Sequence, residues 1–192
     1  GMNNPCANTL NGALAEAAFM TGVERNADVV ALASYAPLFA RLGYAQWSPD
    51  MIWFDESAVY PTASYYVQKM YGENMGTITV PMEGQEKTLG KEGVYVNISL
   101  DEKEDEYIIK AVNAKQEQMI LDLTDWKDGR IRGKALRKEL TRAEHKDEKS
   151  KSLYPETVSY TEGFEELDGM LRLPAESFTV MRIPAHDLKV IS

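Results

Sequence analysis

The sequence predicts a mainly β fold: an antiparallel β-sandwich over residues 76–192, preceded over residues 1–75 by a segment that alternates helix and strand. Three observations predict it. Up to about residue 75 the chain is rich in Ala, Met and aromatic residues, and its apolar positions follow helical or continuous patterns. Beyond that point come short runs of alternating apolar and polar residues between charged turns, as half-buried strands require. Finally, 192 residues with 44% hydrophobic and 27% charged side chains suffice for one large core or two small ones. The composition breaks at residues 72–76, where a domain boundary is expected.

In chain order, Leu10, Ala13, Leu14, Ala17, Met20 and Thr21 follow helical spacing, so a helix is expected from Thr9 to Glu24. Asn8 or Thr9 can cap its start, and Gly22 lies near its end. The run Asp28-Val29-Val30-Ala31-Leu32-Ala33-Ser34 is nearly all apolar and is closed by Tyr35-Ala36-Pro37, which predicts a strand buried on both faces. Met51 to Phe54 reads as a short strand. Pro61 suits a first helical position, with the helix running from Thr62 to Met70.

The second half alternates at period two. Val94, Val96, Ile98 and Leu100 point one way and Tyr95, Asn97 and Ser99 the other, which predicts a strand with one solvated face. Tyr107 to Val112, Met119 to Leu123, Lys134 to Leu140 and Ser177 to Ile183 repeat the pattern, with turn signals at Asn113-Ala114, Asp128-Gly129 and Asp168-Gly169. Thr141 to Ser152 is expected to be an exposed loop.

Charge and motifs exclude several functions. Thirty acidic against 21 basic residues give a net charge of -9, which disfavours nucleic acid and anionic membrane surfaces as partners. No stretch approaches the roughly 20 apolar residues that span a bilayer. The start Gly1-Met2-Asn3-Asn4 lacks the regions of a signal peptide, and Gly1 reads as a tag residue. Cys6 is the sole cysteine, which excludes an internal disulfide framework and a Cys-rich zinc site. His145 and His186 stand far apart without neighbouring ligands, and phosphate-loop, nucleophile-elbow and metalloprotease motifs are absent, so neither metal nor cofactor is expected.

Paired carboxylates would suit a glycosidase. Glu16 is expected to face solvent or pair with Arg25; Asp55-Glu56 reads as a turn after a strand; Glu162, Glu165, Glu166 and Asp168 read as a solvated acidic loop. Asn97-Ile98-Ser99 fits a glycosylation pattern but falls inside a predicted strand. Tyr35, Tyr44, Trp47, Trp53, Tyr60, Tyr65, Tyr66 and Tyr71 crowd one region. Sugar clefts use aromatic faces in this way, as does ordinary core packing.

The string from Ala15 to Val30 (AEAAFMTGVERNADVV), followed by Ala33-Ser34-Tyr35-Ala36-Pro37-Leu38-Phe39, closely resembles the C-terminal third of α-L-arabinofuranosidases of glycoside hydrolase family 51. Gln46-Trp47, Pro49-Asp50, Ile52, Phe54-Asp55 and Ser64 to Lys69 continue the resemblance, as do Lys110 to Asn113 and Leu173 to Ile183. It implies the end of a catalytic (β/α)8 barrel joined to a jelly-roll β-sandwich, so residues 1–75 would be a partial barrel remnant and 76–192 the sandwich. Thr9 to Glu24 would be the seventh barrel helix, Asp28 to Ser34 the eighth strand and Thr62 to Tyr71 the eighth helix.

The reaction that the resemblance implies is retaining hydrolysis of terminal α-L-arabinofuranosyl groups. Its nucleophile and acid/base belong to strands before that seventh helix. The sequence has no Asn-Glu pair and starts at the helix, so neither catalytic carboxylate is expected in it. Barrel enzymes place substrate contacts at strand ends, which nominates Ser34, Tyr35, Gln46 and Trp47 as sugar-binding residues. The implied partner is an arabinose-containing oligo- or polysaccharide. A carbohydrate-binding sandwich and a structural subunit that completes another chain's barrel are the other readings. With no neighbouring barrel strands, residues 10–40 are also expected to seek cover, against the sandwich or in a homodimer.

Overall fold

The computed structural model describes residues 8–45, 47–124, 126, 133–144 and 155–185. The chain is mainly β, with a sandwich in its second half. A six-stranded sheet has the order β4 (Ile78–Thr79), β5 (Val94–Asp101), β6 (Glu106–Asn113), β11 (Ser177–Pro184), β8 (Gly133–Arg142), β9 (Val158–Leu167). Every neighbouring pair in it is antiparallel. A two-stranded sheet of β7 (Met119–Asp122) and β10 (Met170–Leu173) packs on one face. Between them lie Val94, Val96, Ile98, Ile109, Ala111, Met181 and Ile183 of the large sheet, against Leu121, Leu171 and Leu173 of the small one. The short helix α3 (Gln85–Lys91) adds Leu89 to this core.

The opposite face carries a third layer. Helix α1 (Leu10–Arg25) starts where the Thr9 hydroxyl accepts from Gly12 N at 3.3 Å. Its Leu10, Ala13, Leu14, Ala17 and Thr21 share one buried face at the predicted spacing. Thr62 caps α2 (Ala63–Gly72) by accepting from Tyr65 N, and its own hydroxyl donates to Met51 O at 2.8 Å. These helices close a second core over Ile108, Val112, Leu140, Phe178 and Val180. The Tyr71 ring stacks on Phe178 at 5.2 Å, and its hydroxyl donates to Ala17 O at 2.7 Å.

Charge pins α1 to the sheet at both ends. At its start, Leu10 N–H, an orphan donor of the first turn, donates to a Glu156 carboxylate oxygen at 2.7 Å; Arg142 of β8 holds that same carboxylate. At its last turn Glu24 receives the ammonium of Lys110, which is 1% exposed, and Asn97 Nδ2 donates to its other oxygen at 2.9 Å. The Lys110 ammonium also lies 4.7 Å from the centre of the Tyr71 ring. Burial lowers the Lys110 pKa, while Glu24 opposes that shift. Arg25 then donates to Val96 O at 2.8 Å.

Several elements differ from the sequence-based expectation, each for a physical reason. Residues 28–34 are not a strand: Val29 and Leu32 are 76% and 85% exposed, because no described strand lies beside them to complete a ladder. Pro61 does not open α2. It ends β3 (Val59–Pro61), which pairs with β2 (Ile52–Phe54), itself parallel to β1 (Phe39–Arg41). The second face of β5 is not solvated: Asn97 is buried against Glu24 of α1, and Ser99 is buried where the chain crosses at Gly76. Glu162, Glu165 and Glu166 lie on edge strand β9, not in a loop; its partner β8 supplies Lys138 to Glu162 and Arg137 to Glu165. Asp168-Gly169 does turn the chain into β10, with Gly169 at φ 94°.

The boundary region is packed rather than extended as a linker. A Cβ on Gly76 would stand 2.4 Å from the Ser99 side chain, so only glycine allows the chain to cross the sheet there. Of the loop expected at Thr141 to Ser152, Thr141 and Arg142 belong to β8, and residues 145–152 fall outside the described residues, as do Asp128-Gly129, Cys6 and both histidines. Among the described residues no helix is long and apolar enough to cross a membrane.

A buried ion pair that loses one partner leaves a desolvated charge. Glu24→Ala should therefore destabilise the chain by roughly 3 kcal/mol in urea unfolding, whereas Glu24→Leu with Lys110→Met should recover most of that loss. Equal stability of Glu24→Ala and the wild type would show that the pair contributes nothing.

Candidate functional site

Ser34, Tyr35 and Trp47, three of the four nominated residues, sit on the connection between α1 and α2. Val29 and Val30 N–H both donate to Asn26 O, and Met51 and Ile52 N–H donate to Pro37 O and Leu38 O at 3.2 and 2.9 Å. Between these ties the run crosses the surface. Ser34 is exposed on it, Trp47 is 65% exposed further along, and Gln46 falls outside the described residues. Tyr35 is half-buried between the exposed Ser34 and Ala36.

Tyr35 enters a polar cluster built by the two helices. Its phenol lies near Ser64, in the first turn of α2, and near the Glu16 carboxyl of α1. One turn further, Gln68 Nε2 donates to Glu16 Oε1 at 2.5 Å. Glu16 thus pairs with α2 rather than with Arg25. The reason is geometric: Arg25 lies nine residues on and reaches the β5 backbone instead. Burial raises the Glu16 pKa, against hydrogen bonds from Gln68 and Ser64 that lower it. The Tyr35 phenol is likewise raised, first by burial, then by the charges of Glu16 and Asp50. Asp50 is itself buried, with Oδ2 lacking a hydrogen-bond partner among the described residues, and its pKa is raised by desolvation.

Protein groups already occupy Glu16, so the cluster is built to hold a side chain in place. The other carboxylate candidate is also structural. Asp55 Oδ1 accepts from Ser57 N, Ser57 Oγ and Ala58 N, and Oδ2 accepts from Tyr60 OH at 2.8 Å, closing the β2–β3 turn. These bonds hold its carboxyl well below the usual range. Glu56 pairs outward with Arg41. Among the described residues no His, Cys, Asp or Glu group is arranged to hold a metal.

The aromatic crowd does not converge on one cleft. Tyr71 and Trp53 are buried, Tyr66 stacks on Tyr160, and Tyr44 carries Arg41 over its ring. Asn97, of the glycosylation pattern, is buried against Glu24. Sequence reasoning missed Ser64 and Asp50 as neighbours of Tyr35 and Gln68 as the partner of Glu16. The signal available was the four-residue spacing of Ser64 and Gln68 on one face of a predicted helix.

Residues 5–177 match the family described as the alpha-L-arabinofuranosidase C-terminal domain. Alpha-L-arabinofuranosidase 1 of Arabidopsis thaliana is 37% identical over 184 residues, 93% of this chain and 25% of that protein. An extracellular exo-alpha-L-arabinofuranosidase of Streptomyces chartreusis is 55% identical over 74 residues, 38% of this chain and 9% of its own length. Among solved structures, the arabinose-bound MgGH51 α-L-arabinofuranosidase superposes with a TM-score of 0.71 at 26% identity, over 92% of this chain and 28% of that one. This chain therefore spans about a quarter of the length of the plant relative.

Because the folded Glu16 pKa is raised, the folded state binds that proton more tightly than the unfolded state. Glu16 therefore costs stability as pH rises from about 4.3, the unfolded value, through the folded pKa. Glu16→Gln, which removes the charge, should gain on the wild type as pH rises from 4 to 7 in parallel urea titrations. A difference that stays constant across that range would contradict the assignment.

Proposed function

The chain belongs to the alpha-L-arabinofuranosidase C-terminal domain family, and from that premise we propose that it serves as the non-catalytic C-terminal part of a retaining α-L-arabinofuranosidase. In this reading residues 1–75 are the remnant of the last β/α units of the catalytic barrel and residues 76–192 form the C-terminal sandwich joined to it. The nucleophile and acid/base come from elsewhere, and this chain alone does not hydrolyse substrate. Ser34, Tyr35, Gln46 and Trp47 contribute to the rim where an arabinofuranosyl group of an oligo- or polysaccharide binds.

The observation that carries the reading is an exposed apolar surface on the α1–α2 connection. Val29, Leu32 and Leu38 are exposed on the run, as are Phe39 on β1, Phe54 on β2 and Val59 on β3. Exposed apolar side chains so concentrated mark a surface that another part of a protein covers. Asp55 and Glu56, the carboxylates that follow β2, are engaged in a turn and a surface ion pair. A free-standing sugar-binding module fits less well, because the aromatic rings are dispersed between core and surface.

The purified chain should release no aryl alcohol from an aryl α-L-arabinofuranoside above buffer. Turnover abolished by Asp55→Asn or Glu56→Gln would overturn the proposal. Calorimetric binding of arabino-oligosaccharide by the isolated chain would favour the sugar-binding module instead.

A further inference from the structure

Asn11 is the one asparagine in the sequence that is followed by glycine. Such a pair can react without a catalyst. The backbone nitrogen of the glycine attacks the side-chain carbonyl carbon of the asparagine, the glycine amide proton leaves with the departing amide as ammonia, and a five-membered imide remains. Water then adds across one of its two C–N bonds and gives aspartate or isoaspartate. Glycine favours ring closure because it has no Cβ to obstruct it and leaves the backbone free to turn. Asn11 and Gly12 lie in the first turn of α1, and Asn11 is exposed to water.

Two features of that turn act on the reaction in opposite directions. Arg142 Nη2 donates to Asn11 Oδ1 at 3.1 Å, so a cation already faces the oxygen that takes up negative charge when the carbon is attacked. The backbone, by contrast, holds the nucleophile back. Gly12 N donates to the Thr9 hydroxyl at 3.3 Å and Ala13 N to Thr9 O at 3.1 Å. In a helical backbone, with ψ of about −42°, the Gly12 nitrogen stands outside bonding geometry with the Asn11 side-chain carbon. The first turn must open before the ring can close, and helix ends open more readily than cores.

Charge decides what the product does. Arg142 already serves two carboxylates: Glu156, which also accepts from Leu10 N at 2.7 Å, and Glu176, at 3.3 Å. One guanidinium and a helix start worth roughly +0.5 charge do not outweigh them. A third carboxylate, at position 11, therefore competes with Glu156 for Arg142, and Glu156 is the group that ties the first N–H of α1 to the sheet. Isoaspartate adds a methylene to the backbone inside the capped turn, which shifts Gly12 N from Thr9. We propose that Asn11 is a site of spontaneous deamidation, gated by opening of the first turn of α1, and that the new carboxylate draws Arg142 from Glu156 and loosens the start of the helix.

The test uses the full chain in neutral buffer, with peptide mapping that separates asparagine, aspartate and isoaspartate at position 11. Both acids should accumulate in the wild type, and faster in the urea-unfolded chain than in the native one. Thr9→Ala, which removes the cap, should speed the native reaction roughly fivefold, and Gly12→Ala should all but stop it. Asn11→Asp stands in for the product. Its Leu10 and Ala13 amides should exchange with solvent roughly two to five times faster than in the wild type at low salt, with β6 and β11 unchanged. High salt should shrink that difference, because the repulsion is screened. No acid at position 11 in either the native or the Thr9→Ala chain, or a native rate equal to the unfolded one, would overturn the gated site. Unchanged exchange of Leu10 and Ala13 in Asn11→Asp would overturn the loosening of the helix.

Discussion

The structure depends on a charge placed where a hydrophobic residue would be expected. Lys110 stands in the middle of the six-stranded sheet with its amine directed into the helical layer, and an unpaired ammonium there would be costly. Glu24, brought by the last turn of α1, is its ionic partner, and Asn97 and the Tyr71 ring complete its surroundings. This requirement is directional, unlike apolar burial. Ala13, Ala17 and Val67 would tolerate small slides of the helices over the sheet, but Lys110 accepts one placement of Glu24. With Glu156 holding the first turn of α1 in the same way, both the position and the angle of the helix are fixed. Everything carried by that helix follows, including the Glu16 carboxyl that accepts from Gln68 of α2.

The helical layer also changes what the sandwich is. Its large sheet is apolar on both faces: Ile109, Ala111 and Met181 face the small sheet, while Ile108, Val112, Phe178 and Val180 face α1 and α2. A boundary in composition near residues 72–76 thus coincides with a continuous core in space. Gly76, pressed against Ser99, lies where the chain passes from one layer to the next.

Much of this was legible in the residues, and the misreadings have a common cause. Helix α1, its cap, β5, β6 and β11 followed from periodicity, because local spacing dictates which face is apolar. What periodicity cannot report is the identity of the neighbour. The polar side of β5 looked solvated because Asn97 and Ser99 are polar, yet they face the ion pair and the crossing at Gly76. Residues 28–34 looked like a buried strand because they are apolar, but a strand exists only beside another, and here none of the described strands adjoins them. Strand β9 looked like an acidic loop because its glutamates lie on an exposed edge, where charge blunts unwanted pairing. At the candidate site, Tyr35 was found by resemblance, whereas its partners came from helices distant in sequence and needed the tertiary structure to be seen.

The central claim is that the two helices and the six-stranded sheet form one cooperative unit. Native-state hydrogen exchange under mild denaturant tests it most directly, because each amide reports the free energy of the opening that exposes it. The account predicts that protected amides of α1 and α2 share the opening free energy and denaturant dependence of those in β6 and β11. Helices that open several kcal/mol below the sheet, leaving β6 and β11 protected, would contradict it.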